Sequence, residues 1–276
     1  MRPSGPGGTG SAIERRGVMF LRIVAAGFAA LLACAAAMAA EPIDYPTGDS
    51  CLFCHRSEVG TTWLDNAHAW TIRPVGEPPA VSGNLPEQAT HVIGRDHFRA
   101  LRQSGYGRFS MLAHVGGQWE EGTFGKQCAG CHTTAVNPQT SEFSAVALDC
   151  YTCHGNVPED HAEKRGTALL SRARESNAAE ITSICGSCHL RGGKSKTTGL
   201  QYPNAFVAGA DLFKDFEVDL KRNLAQLDDS DRHVYETARA VLEGKSEDTC
   251  IDCHRIHTAP EPRDPARKRF SEVCGY

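Results

Sequence analysis

The pentapeptide Cys-x-x-Cys-His is written five times in this chain: at Cys51, Cys54 and His55; Cys128, Cys131 and His132; Cys150, Cys153 and His154; Cys185, Cys188 and His189; and Cys250, Cys253 and His254. At the chain's own cysteine and histidine frequencies about 0.02 copies would arise by chance, so composition does not account for the repetition. Ten of the twelve cysteines are used by it. Two thiols one turn apart reach the two vinyl groups of a haem, and a histidine directly after the second is carried beneath the iron. Zinc ribbons and redox disulfides also use Cys-x-x-Cys, but neither demands the adjoining histidine, and an odd number of units suits paired zinc ligands badly. The cofactors expected are five covalently bound haem c groups, each with its iron.

Covalent attachment of this kind takes place outside the cytoplasm, and residues 1–40 read as an export signal. Arg15, Arg16 and Arg22 form a basic region, an uncharged apolar run begins at Ile23, and Ala37 and Ala39 are small enough for cleavage near Ala39 and Ala40. The expected location is the periplasm or the cell exterior. "LLAC" ending at Cys34 resembles a lipidation site, and the run from Ile23 to Ala40 has 18 residues, the lower edge of a membrane span. Membrane association therefore stays open, through a lipid on Cys34 or an uncleaved signal.

Residues 41–276 read as one pentahaem cytochrome c domain. About 47 residues per haem is too few to wrap each in its own apolar core. The fold class expected is mainly α with extensive loops, with stacked haems as the core. A small haem-free subdomain around 86–120 is expected, with a short strand near His91 to Ile93 and turns at Gly105 and Gly107. "SNAAEITSICGSCH" predicts a helix opened by Ser176, and "DSDRHVYETARAVLEGK" another, capped by Ser230 and stopped by Gly244.

Net charge is −4, and the first 40 residues hold four arginines against one glutamate, so the remainder stands near −7. Haem propionates add to that. Such a surface disfavours nucleic acid and suits other redox proteins or a membrane quinol or cytochrome complex with a basic face. The basic stretch "RDPARKRF" is the exception, read as solvated charge. Cys274 reads as an inert or capped thiol.

What fills the sixth position of each iron decides between a carrier and an enzyme. Seven histidines lie outside the motifs: His68, His91, His97, His114, His161, His233 and His257. His257 stands three residues after His254, beside one haem but aimed at a neighbour. His161 follows His154, His233 opens the helix before the last motif, and His68 lies just beyond the first. These four are the expected distal ligands. His91, His97 and His114 share the fifth place, with His97 carried as the candidate, or none takes it.

"QCAGCHTTAVNP", "ALDCYTCHG" with its trailing His161, "ICGSCHLRG", "DTCIDCHRIH" and "TTWLDNAHAW" resemble the cytochrome c-554 family of multihaem cytochromes. The resemblance implies a mainly helical fold with closely packed, mostly bis-histidine haems that pass electrons among periplasmic or surface partners. This chain has five attachment sites where the family's namesake has four. The function expected is a pentahaem electron carrier. The alternatives are a small reductase or oxidase of nitrogen oxides (nitrite, hydroxylamine, nitric oxide) with one open haem, near Arg95 or Arg99, and a haem-filament subunit.

Overall fold

The computed structural model describes residues 45, 47–94, 98–113, 117–171 and 175–258. The readings placed on residues 1–40, including Cys34, and on Arg95, His97, His114, Cys274 and the basic stretch 263–270 lie outside them. Among the described residues no helix is long and apolar enough to cross a membrane.

The mainly α expectation needs correction. Short helices carry the attachment sites, but the long first interval folds as a five-stranded antiparallel sheet, β1 (Ile72–Pro74), β2 (His91–Gly94), β3 (Phe98–Gly105), β4 (Arg108–Leu112) and β5 (Trp119–Glu120), paired in sequence order. The expected strand at 91–93 is one of five. The sequence explains the central pair. In β3 and β4, Ala100, Leu101, Phe109 and Met111 are buried, and Leu101 stands opposite Met111 in register. The turn between these strands, Tyr106 and Gly107, puts Gly107 at φ +61° and so close to β7 (Phe143–Val146) that a Cβ would lie 2.4 Å from the Phe143 carbonyl oxygen. Only glycine takes both that backbone and that approach. Gly107 oxygen in turn accepts a 3.0 Å hydrogen bond from the Phe143 amide.

The apolar face of this sheet is what seats the second attachment site. Ile72, Leu101, Phe109 and Met111 pack with Phe124, Ala129 and Phe143, the last three from α2 (Thr123–Gln127), α3 (Ala129–His132) and β7. Phe109, Phe124 and Phe143 meet at ring-centre separations of 5.2 to 5.9 Å. Each buried aromatic contributes roughly 2 kcal/mol, so the chain supplies an apolar core of its own here.

Beyond it, β6 (Thr133–Val136) pairs with β7, and α4 (Cys150–His154) follows. The two longer helices fall where the sequence put them, with different caps. α5 (Ala178–His189) is opened by Asn177, whose side chain accepts from the Glu180 amide, and Ser176 lies one residue too early. α6 (Asp229–Leu242) is opened by Asp228, which accepts from the amides of Ser230 and Asp231, so Ser230 is inside the first turn. A two-stranded ladder of β8 (Lys194–Ser195) and β9 (Phe216–Glu217) lies between them in sequence. A second apolar cluster joins Leu190, at the end of α5, to Tyr235 and Ala238 of α6, with Phe213, Val218 and Leu220 around them.

Candidate functional site

Each attachment motif occupies a short helix that ends at or beside its histidine: α1 (Gly48–His55), α3, α4, α5 and α7 (Cys250–Cys253). Cysteines at i and i+3 then share one helical face, with the histidine on the next residue. Helices this short need their ends tied. Thr47 caps α1, Asp149 caps α4, and Thr249 and Asp252 form a capping box on α7.

The motifs are brought together in a definite pattern. The helix of the first site, α1, packs beside α4 of the third, with Cys51 near Cys150, and α5 of the fourth packs beside α7 of the fifth, with Cys185 near Cys250. The second and fourth sites interlock, with Cys131 Sγ 4.0 Å from the Cys188 carbonyl oxygen and Cys188 Sγ 3.9 Å from that of Gly130. Behind the second motif Thr134, itself buried, donates to the Ala147 carbonyl at 2.9 Å and accepts from the Asp149 amide at 3.0 Å, which ties the second site to the cap of the third.

Four of the five motif histidines face a second histidine. The ring centres are 6.1 Å apart for His55 and His161, 6.2 Å for His189 and His68, 5.9 Å for His154 and His257, and 6.4 Å for His254 and His233. With a metal–imidazole bond of about 2 Å, and the bonding nitrogen roughly 1.1 Å from its ring centre, two imidazoles on opposite faces of one iron would stand about 6.2 Å apart. The residues therefore fit the group that the sequence calls for. Among the described residues no three His, Cys, Asp or Glu side chains cluster as a metal site.

Hydrogen bonds at the outer ring nitrogens agree. Nδ1 of His154 donates to the Leu169 carbonyl at 2.9 Å, and Nδ1 of His161 to the Pro158 carbonyl at 2.8 Å. His68 Nδ1 lies 2.9 Å from Asn66 Oδ1, and His55 Nδ1 3.1 Å from Glu58 Oε2. An oxygen acceptor at Nδ1 fixes the tautomer that leaves Nε2 with its lone pair. Burial, with lesser help from neighbouring cations, pushes His132 and His189 down to about 4, so both are neutral imidazoles, the form that binds metal.

His132 is different. Its Nδ1 is buried without a hydrogen-bond partner, and no described histidine faces it. His91 packs on Phe109, ring centres 4.8 Å apart, with Nδ1 3.0 Å from Thr90 Oγ1, as part of the sheet. Arg99 belongs to β3.

Sequence reasoning missed the outer partners. Asn66 had a legible signal, a short polar side chain two residues before His68, where it caps the 3-10 turn Ala67–Trp70. It also donates to the Thr258 carbonyl at 2.6 Å, linking the His68 segment to the residue after His257. Glu58 stands one turn after His55. The Leu169 and Pro158 carbonyls carry no side-chain signal at all.

The family model described as cytochrome c3 matches residues 122–201, which span the second, third and fourth attachment motifs. No solved structure matches the chain. With its paired histidines and repeated attachment motifs, the chain is a multihaem c-type cytochrome, a class that carries covalent haem and transfers electrons. Over 122–201 it is similar to cytochrome c3.

Proposed function

We propose that this chain is an exported pentahaem cytochrome of the cytochrome c-554 kind, which passes single electrons between other redox proteins or a membrane quinol or cytochrome complex. The observation that carries the reading is the set of four histidine pairs at 5.9 to 6.4 Å. Bound haem supplies an iron that accepts and returns one electron without a bound substrate. The chain does the placing. Ten cysteines anchor the groups; His55, His132, His154, His189 and His254 take one face, and His161, His257, His68 and His233 the other for four sites. Asn66 and the Leu169 and Pro158 carbonyls orient the rings. Contact between motifs one and three, two and four, and four and five supports closely packed haems.

Intact mass of the purified protein tests the count. Five covalent haem increments are expected, on a chain beginning near Ala40. Four or fewer in fully matured material defeats the pentahaem reading.

A second reading, a small reductase of nitrogen oxides, is favoured by His132 alone, since no described histidine faces it. His97 and His114, outside the described residues, are the remaining candidates for its opposite face. Carbon monoxide added to the ferrous protein separates the two readings: no spectral change supports the carrier, and one equivalent bound supports the reductase.

A further inference from the structure

The five sites are dressed differently by the chain's own polar groups. At the first, His55 Nδ1 meets a carboxylate, Glu58 Oε2, at 3.1 Å. At the third, His154 meets a neutral carbonyl. Beside the fourth site lies a cation. Arg191 follows His189 by two residues, its side chain is only 29% exposed, and the second motif interlocks with the fourth beside it. The Tyr235 hydroxyl donates to its carbonyl, and Asp231 Oδ1 stands 3.9 Å from Nη1, at the outer limit of an ion pair.

We propose that these groups grade the reduction potentials along the chain: Glu58 holds the first site lowest, Arg191 holds the second and fourth highest, and electrons taken up at the first site collect at that pair. A carboxylate on the outer nitrogen makes an imidazole more electron-rich and favours ferric iron. A cation in a dry setting favours ferrous iron, because the reduced site carries one positive charge fewer. The guanidinium keeps its charge at every accessible pH, so the bias is permanent. Glu58 is 72% exposed and is screened by water and salt, so its effect is the smaller of the two. Each site takes one electron, ferric to ferrous, from a one-electron donor protein in the cell and from dithionite in the test.

The inference rests on the multihaem reading, and intact mass on every variant keeps the two apart, since five haem increments certify loading whatever the potentials do. Spectroelectrochemical titration of the loaded protein is the test. Arg191→Gln should move the two highest components to lower potential and leave three in place, and Arg191→Lys should restore them. Asp231→Asn should move the same two upward and carries the test if Arg191→Gln does not mature. Glu58→Gln should raise only the lowest component. Unmoved upper components in Arg191→Gln or Asp231→Asn, a uniform shift of all five, or a Glu58→Gln shift in any component but the lowest would overturn the grading.

Discussion

At the scale of the residue, His257 shows how far a motif speaks and where it stops. Its place three residues after His254 said that it lies near iron and points to a neighbour, and its ring stands opposite His154, more than a hundred residues back in the sequence. Nothing local names that neighbour, because the pairing depends on where two chain segments cross. His68 with His189 and His55 with His161 are just as remote, whereas His233 and His254 are near enough to be paired by eye. Replacing His257 with Ala should turn one ferric haem high-spin, read in the visible charge-transfer band, and leave the others low-spin; an unchanged spectrum removes it from the ligand set. Gly130 is constrained by packing. A Cβ there would lie 2.1 Å from Tyr202 Cγ, and the Tyr202 hydroxyl is held by the Gly125 carbonyl at 2.7 Å. Gly130→Ala should cost about 1 to 3 kcal/mol, seen as a lower Tm of the loaded protein. A wild-type Tm would show that Tyr202 swings aside freely.

At the scale of the element, helices were legible and the sheet mostly was not. α5 and α6 carry apolar periodicity over 12 and 14 residues, long enough to stand above the noise of composition. Their first residues were misplaced because "SN" and "DDSD" offer several capping side chains in a row, and only the backbone turn selects Asn177 and Asp228. β1 and β5 have three and two residues, and β1 includes Pro74, so no alternation exists to find. They become strands only because β2 and β4 present edges to them. Removing the selected cap is the corresponding test. Asp228→Ala leaves the Ser230 and Asp231 amides without their acceptor and should cost about 0.5 to 2 kcal/mol, whereas Ser230→Ala should cost a few tenths. Thermal melts of the two variants with equal loss would contradict the assignment of the cap.

At the scale of the whole molecule, five short helices from distant parts of the chain converge so that motif touches motif, and histidines from elsewhere arrive on the opposite faces. Five Cys-x-x-Cys-His motifs are plain in the sequence because covalent haem chemistry demands a local pattern. Their order in space was hidden, since the contacts of Cys51 with Cys150 and of Cys185 with Cys250 are made by folding alone. The expectation that haems would supply the core overlooked two apolar clusters, one under the sheet and one between α5 and α6, which hold the motif helices from behind. The central claim is that four irons are closed on both faces by the pairs His55 and His161, His154 and His257, His189 and His68, and His254 and His233. Quantitative electron paramagnetic resonance of the ferric protein addresses it most directly: four low-spin bis-imidazole irons per chain are predicted, with the iron on His132 the only one free to differ, and two or more high-spin irons per fully loaded chain would contradict it.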